Sequence, residues 1–169
     1  MSQELGLLHE SQRLSSPIGD IFRPKNWAEA LELYETLPEA LPLAGATDLL
    51  LDLSRRSADK DNSDVSLIDL WGLPECSEIT LEKNDVVIGC GVTHNQLIKS
   101  QNLDSALKLL GSACMEIGSP QLRNRATVVG NIVTASPAND TISALVALNA
   151  SVLIESVHRK REVPIREFF

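Results

Sequence analysis

The stretch NRATVVGNIVTASPAND, residues 124–140, says more about the fold than any other part of this chain. It is too apolar for a surface loop, yet its side chains are too small for it to serve only as core. Such a run lets the backbone approach something other than protein, with hydroxyls, an amide and a carboxylate directed at it. It therefore predicts a binding surface for an extended polar ligand. The small and hydroxyl-bearing residues are Ala126, Thr127, Gly130, Asn131, Thr134, Ala135, Ser136, Pro137 and Asp140.

The polar residues of this stretch also have simpler explanations. Asp140 is placed to cap a helix predicted from about residue 140 to 149, and Asn131 could bridge the backbone of a turn. The hydroxyls of Thr127, Thr134 and Ser136 nevertheless exceed what capping requires. We therefore favour the ligand-binding interpretation.

A second loop, LAGATD over residues 43–48, follows a short apolar run and precedes an apolar, helix-like segment. Gly45 lacks the Cβ that would block close approach, and the loop offers successive N–H groups beside a helix N-terminus. An ordinary strand-to-helix turn capped by Thr47 or Asp48 would have the same sequence, so this loop is ambiguous alone. Together the two loops predict one ligand with a diphosphate and a polar chain, which fits a dinucleotide cofactor.

Composition excludes several other classes of function. The 169 residues suit one domain or two small lobes, and a net charge of −8 argues against nucleic acid and anionic membranes. The chain shows no secretory signal and no membrane-spanning run, which predicts a cytoplasmic protein. Cys76, Cys90 and Cys114 are too widely spaced to predict a metal site, and the three histidines are assigned structural roles.

Strand, helix and hairpin patterns mix without strict alternation, which predicts an α+β fold. Residues 1–20 are interpreted as an arm, residues 54–63 as a mobile loop, and the basic turn 157–160 as solvated, with partner contact as an alternative. Helices are predicted from Asn26, Leu49, Thr93, Asp104 and Asp140, and strands over residues 41–44, 65–70, 78–82, 86–91, 151–155 and 161–165.

Six ordered motifs are similar to those of one known family. They are Phe22-Arg-Pro24 with Glu29-Ala30, Leu43-Ala-Gly-Ala-Thr-Asp-Leu49, Gly91-Val-Thr93, Ile117-Gly-Ser-Pro-Gln-Leu-Arg-Asn124, Thr127 to Asn131, and Ala135-Ser-Pro-x-x-Asp140. From Ile21 to Phe169 the chain resembles the flavin-binding subunit or domain of molybdenum-containing hydroxylases, such as xanthine dehydrogenases and carbon monoxide dehydrogenases.

The resemblance implies a two-lobed FAD-binding domain of the vanillyl-alcohol-oxidase (PCMH) type. A small α/β lobe would span residues 21–75, and a larger lobe with an antiparallel sheet would span residues 76–169. The family's C-terminal domain is absent, so the chain is expected to be a fragment, a truncated form or a reduced subunit. The resemblance implies no catalytic residue and no metal ligand in this chain.

The same resemblance implies which residues contact FAD. Those wrapping the diphosphate side would be Leu43, Ala44, Gly45, Ala46, Thr47, Asp48 and Leu49. Those along the diphosphate and ribityl region would be Ala126, Thr127, Gly130 and Asn131. Those near the ribityl chain and the flavin ring would be Thr134, Ser136 and Asp140, with Ile117 close to the isoalloxazine.

Two residues depart from the family pattern. Ala46 and Val129 each stand where the family usually has glycine. Because a β-branched residue disfavours a positive φ, strain is expected at Val129 if its turn needs that conformation, and FAD affinity would fall.

The leading hypothesis is therefore electron transfer by a subunit that is inactive alone. A molybdenum cofactor and [2Fe-2S] clusters in partner subunits would send electrons to FAD held here, and NAD, oxygen or another acceptor would receive them. The alternative is a degenerate scaffold without flavin that docks onto the hydroxylase complex. A self-contained flavin oxidase is a weaker third hypothesis, because too few residues remain for a substrate lobe.

Overall fold

A parallel three-stranded sheet forms the first lobe of the computed structural model, which describes residues 18–58, 64–83, 85–100, 104–136 and 139–169. The strand order is β1-β3-β2, so β3 lies in the centre. Because parallel neighbours need a crossover, a helix links β1 to β2 and another links β2 to β3. The elements are β1 (Ile18–Phe22), α1 (Trp27–Thr36), β2 (Leu41–Leu43), α2 (Leu49–Ala58) and β3 (Val65–Asp69).

Helix α1 begins where its sequence predicts. The side chain of Asn26 accepts a hydrogen bond from the Glu29 N–H at 2.9 Å. The Glu29 carboxylate accepts one from the Lys25 N–H at 2.8 Å, one residue before the usual capping-box donor. Ala30 is fully buried on the face that packs against the sheet.

Two boundaries of the first lobe differ from the sequence prediction. Helix α2 continues to Ala58, through the segment expected to be a loop from residue 54. The Ser54 hydroxyl bonds back to the Leu50 carbonyl at 2.7 Å and Arg55 pairs with Asp52 at 3.1 Å, so polar residues support the helix. Strand β1 begins at Ile18, inside the predicted arm, whose first 17 residues lie outside the described ranges, as do residues 59–63.

The second lobe combines helices with two antiparallel hairpins, as expected. Ile79 pairs with Ile88 in the first hairpin, and Ser151 pairs with Pro164 in the second. A short 3₁₀ turn, Pro74–Cys76, leads into this lobe. Its elements are β4 (Ile79–Glu82), β5 (Asp85–Ile88), α3 (His94–Ser100), α4 (Ser105–Met115), α5 (Pro120–Arg123), α6 (Val128–Thr134), α7 (Asp140–Ala147), β6 (Ser151–Glu155), β7 (Lys160–Pro164) and α8 (Ile165–Phe168).

Two separate hydrophobic cores correspond to the two lobes. One joins α1 to the sheet through Ala30, Ile68 and Leu70, and the other joins the helices of the second lobe around Leu97 and Leu110. The mixed α+β prediction is confirmed. The division of the chain at residues 75 and 76 stays a prediction, because Cys76 and Cys90 pack in the first core.

Polar contacts join α1 to the last hairpin. The Trp27 Nε1–H donates to the Glu155 carboxylate at 2.5 Å, and His158 Nε2 lies 3.1 Å from the Glu35 carboxylate. Lys160 pairs with Glu155 at 2.5 Å, and this bond and the Trp27 bond lower the pKa of Glu155. The basic turn, residues 157–160, therefore contacts helix α1 through His158. The side chains of the turn nevertheless remain largely exposed.

Candidate cofactor site

The two loops singled out in the sequence touch each other. A Cβ on Gly45 would lie 2.1 Å from the carbonyl oxygen of Arg125 and 3.1 Å from the Cα of Ala126. Backbone therefore packs on backbone at this point, and only glycine fits. The contact joins the carboxyl edge of the parallel sheet, after β2, to the segment that leads into α6.

The loop after β2 turns sharply into α2. Ala46 has φ 67°, and its carbonyl accepts the first helical hydrogen bond from the Leu50 N–H at 3.1 Å. The N–H groups of residues 47–49 precede that bond and so have no acceptor within the helix. The Thr47 hydroxyl donates to Asp48 at 3.2 Å. The start of α2 is therefore electropositive and follows closely after Gly45, which contacts the Arg125 backbone. An electropositive helix start suits a bound anion.

The left-handed conformation of Ala46 gives a prediction for stability. We expect Ala46→Gly to raise the free energy of unfolding by about 0.5–1 kcal/mol, because relief of left-handed strain outweighs the added freedom of the unfolded chain. Ala44→Gly is the matched control, since Ala44 has no positive φ and should lose stability instead. Urea unfolding measures the free energy of unfolding of each variant, which should rise for Ala46→Gly and fall for Ala44→Gly. A change in the same direction in both variants would contradict the prediction.

Residues 128–134 form a helix rather than a loop. The Thr127 hydroxyl caps it by accepting the Gly130 N–H at 2.9 Å. Val129 lies in the first turn and is not among the residues with positive φ. The strain expected at Val129 is therefore absent, because the helix requires only ordinary right-handed dihedrals, and the strained departure from the family pattern is Ala46.

The polar side chains after Gly130 bond largely within the protein. The Thr134 hydroxyl donates to the Gly130 carbonyl at 3.0 Å, and the Asn131 side-chain oxygen accepts from the buried Thr141 hydroxyl. Asp140 does not cap α7 as predicted. It is the first residue of the helix, and the preceding Asn139 instead donates its side-chain amide to the Asn131 carbonyl at 2.7 Å.

The remaining predicted residues flank these segments. Ser136 follows α6 and is half-buried. Ile117 is also half-buried, in the turn between α4 and α5, where Gly118 has φ 42°. The Arg123 guanidinium donates to the carbonyls of Met115, Ile117 and Gly118 at 3.0, 2.8 and 3.0 Å, which fixes this turn.

A buried histidine lies behind the loop contact. Thr93 and Gln96 form the predicted capping box, with bonds of 2.8 Å and 3.2 Å between backbone N–H groups and side-chain oxygens. The backbone N–H of His94 donates to the Ala126 carbonyl at 3.1 Å, and its Nδ1 lies 3.3 Å from Cys114 Sγ. Burial, reinforced by the charge of Arg123, lowers the pKa of His94 to about 4. His94 is therefore neutral at pH 7 and supports the wall of the site.

Sequence reasoning missed two residues beside the loop contact. Trp71 follows β3 and is 39% exposed, and the guanidinium carbon of Arg125 lies 3.7 Å from the centre of its ring. The two residues are 54 positions apart and belong to no common motif, so the sequence does not predict that they contact each other. The structure brings them together because β3 lies beside β2 and Gly45 contacts the backbone of Arg125.

The donor set fits a dinucleotide with a diphosphate. Gly45 leaves room for close approach of backbone, and the start of α2 presents N–H groups without helical acceptors. Within the described ranges, no cluster of three or more histidine, cysteine or acidic residues could hold a metal ion. Over the same ranges, no helix combines the length and apolarity needed to cross a bilayer.

Comparison with known proteins defines the class to which this fold and site belong. The family described as "FAD binding domain in molybdopterin dehydrogenase" matches residues 14–169. The chain belongs to this family, and the resemblance seen in its motifs is confirmed, together with FAD as the family's cofactor.

Proteins similar to this chain are named as subunits or chains of dehydrogenases. The chain is 35% identical to the nicotinate dehydrogenase FAD-subunit of Eubacterium barkeri, over 89% of this chain and 50% of that protein. It is 36% identical to the carbon monoxide dehydrogenase medium chain of Hydrogenophaga pseudoflava, over 86% of this chain and 50% of that protein. The chain thus spans about half the length of these relatives.

A solved structure supports the same fold. The structure of Hydrogenophaga pseudoflava carbon monoxide dehydrogenase that lacks the Mo-pyranopterin moiety superimposes with a TM-score of 0.82 at 35% identity. The superposition covers 91% of this chain and 53% of the other. The predicted two-lobed FAD-binding fold is confirmed.

Proposed function

We propose that this chain binds FAD between the loop after β2 and the segment leading into α6, as an electron-transfer component of a molybdenum hydroxylase. The observation that carries the proposal is the backbone contact between Gly45 and Arg125, which joins the loop before α2 to the segment that leads to the Thr127 cap. Two segments far apart in sequence thereby meet without a Cβ between them, and the proposed cofactor crevice would lie along their junction.

The residues of the crevice can take the roles that the family resemblance implies. The N–H groups of residues 47–49 lie at the start of α2 and would hold the diphosphate. The Thr127 oxygen already accepts the Gly130 N–H, so its hydrogen is left to donate to the cofactor. The Thr134 hydrogen is used by the Gly130 carbonyl, which leaves its oxygen as an acceptor.

Bound FAD would supply the redox chemistry of the complex. The chain's residues would bind and orient the cofactor, and none would act as an acid or base. We propose that partner subunits with a molybdenum cofactor and [2Fe-2S] clusters deliver electrons to this site. NAD or another acceptor would remove them. The chain alone would then show no turnover, and the location proposed for the complex is the cytoplasm.

A degenerate scaffold without flavin remains the second candidate, but backbone strain at Val129, one of the two grounds for it, is not seen in the structure. Val129 lies in a helix, so its backbone needs no glycine. Val129→Gly is expected to leave FAD affinity within about twofold and to lower the free energy of unfolding by about 0.5 kcal/mol through helix propensity. FAD binding that appears only in the glycine variant would establish the scaffold instead.

The test of flavin binding is a titration of the whole purified chain with FAD. We expect saturable binding, a flavin absorbance that remains with the protein after gel filtration, and quenching of the free flavin's fluorescence. Lumiflavin, which lacks the diphosphate and ribityl chain, serves as the matched ligand and should bind far more weakly. Absence of bound flavin at saturating FAD would overturn the proposal for this chain.

A further inference from the structure

Arg125 contacts both loops that end the central strands of the parallel sheet. Gly45 and Trp71 each lie two residues beyond the end of neighbouring strands, β2 and β3. The carbonyl of Arg125 packs against Gly45, and its guanidinium lies on the Trp71 ring at 3.7 Å. One residue of the second lobe thus contacts the ends of two neighbouring strands, with its backbone against the loop after β2 and its cation over the loop after β3.

The stacked guanidinium keeps its hydrogen-bond donors. An arginine that lies on an aromatic ring uses its planar face, while the N–H groups remain at its edge in the fork geometry that suits phosphate oxygens. Within the part of the chain that the structure describes, no carboxylate pairs with Arg125. Nearby Asp69 is engaged by Arg23 at 3.5 Å and by the Trp71 N–H at 3.0 Å.

A diphosphate bound in this acidic protein would be stabilised by such a cation. The chain carries a net charge of −8, and the exposed Asp48 lies in the very loop that precedes α2. A helix N-terminus offers only about half a positive charge, so it offsets only part of the roughly two negative charges of a diphosphate. Arg125 contacts the loop after β2 through its backbone carbonyl and the loop after β3 through its guanidinium, so its cation lies at this edge of the sheet.

We propose that Arg125, held in place by the Trp71 ring, is the side-chain counter-charge for the diphosphate of the dinucleotide. This inference rests on the proposed FAD site and adds two residues to it. Trp71 acts as a positioning residue, because stacking restricts the arginine side chain before the ligand arrives and so reduces the entropy lost on binding.

The test is isothermal titration of the whole chain with ADP, which contains the diphosphate but no flavin, and with FAD. Arg125→Gln is expected to weaken both ligands by a similar factor, about tenfold to a hundredfold, as for loss of a charged hydrogen bond. The wild-type affinity for ADP should fall steeply with added salt, and this dependence should be flatter in the variant.

Two variants of Trp71 and one charge control separate the effect of the Arg125 charge from the effect of its positioning by Trp71. Trp71→Phe keeps an aromatic face and should retain most of the affinity, whereas Trp71→Ala should weaken ADP binding without changing the net charge. Arg159→Gln in the exposed turn after β6 is the matched control for charge, and it should bind ADP as the wild type does. A thermal melt of each variant shows that it is folded.

The outcomes distinguish this inference from the proposed function. If the wild type binds FAD and ADP but Arg125→Gln weakens them no more than Arg159→Gln does, the role of Arg125 is wrong and the FAD site stands. If Trp71→Ala leaves ADP affinity unchanged while Arg125→Gln lowers it, the positioning role of Trp71 is wrong. A wild type that binds neither ligand overturns both proposals.

Discussion

Replacing Gly45 with alanine is expected to lower the free energy of unfolding by about 3 kcal/mol and to weaken FAD binding by about a hundredfold. The new methyl group would lie 2.1 Å from the Arg125 carbonyl oxygen and 2.9 Å from its carbonyl carbon. Both neighbours are backbone, so neither can rotate away. The loop after β2 must therefore separate from the segment leading into α6, and the crevice loses the alignment of its two sides.

Gly72→Ala is the matched control for this substitution. Gly72 lies in the next loop of the same sheet edge, where a Cβ would meet nothing within 4 Å, although its φ is 105°. That variant should lose about 1 kcal/mol from backbone strain alone and should keep its FAD affinity. Urea unfolding and FAD titration measure both quantities. Equal losses of FAD affinity in the two variants would show that close approach at Gly45 is unimportant.

Stability is expected to rise by about 3 kcal/mol between pH 4 and pH 6.5, owing to His94. The pKa of this buried histidine is lowered to about 4, from an ordinary value of 6.5. In that interval the unfolded chain binds a proton that the folded chain does not, so acidification favours unfolding. Above pH 6.5 the contribution is complete and constant. The positive charge of Arg123 opposes protonation of the ring further.

Urea unfolding at several pH values measures this dependence, and His94→Gln should remove it. His158→Gln, the same substitution at an exposed histidine, is the matched control. The lowered pKa of Glu155 places its own contribution below about pH 4.5, outside most of the interval. A slope that persists in His94→Gln between pH 5 and pH 6.5 would assign the titration to another group.

Local signals in the sequence were sufficient wherever a few neighbouring residues decide the structure. The caps of α1, α3 and α4 follow from a polar side chain within three residues of the N–H that it accepts. The glycine of the loop after β2 was also predicted to permit close approach. What it approaches could not be predicted, because Arg125 lies 80 residues further along the chain.

The errors have a common physical origin. The family pattern suggests a turn at Thr127 to Asn131 that could need a positive φ at Val129, yet Thr127 caps a helix through these residues. Strain was therefore expected at Val129 and not at Ala46, where the dihedral angle is set by how β2 leads into α2. Trp71 and Arg125 were missed because their contact depends on how the two lobes pack.

The hydrogen bond from Trp27 to Glu155 has a consequence for synthesis on the ribosome. It joins residues 128 positions apart, and the Glu35–His158 contact spans 123 positions. The first helix can therefore gain these partners only after residue 158 has been synthesised. We expect the packing of the two lobes to form late, because contacts of such long sequence separation slow folding. The carboxyl edge of the sheet likewise lacks its second wall until residue 125 has been synthesised, so cofactor capture would follow that step.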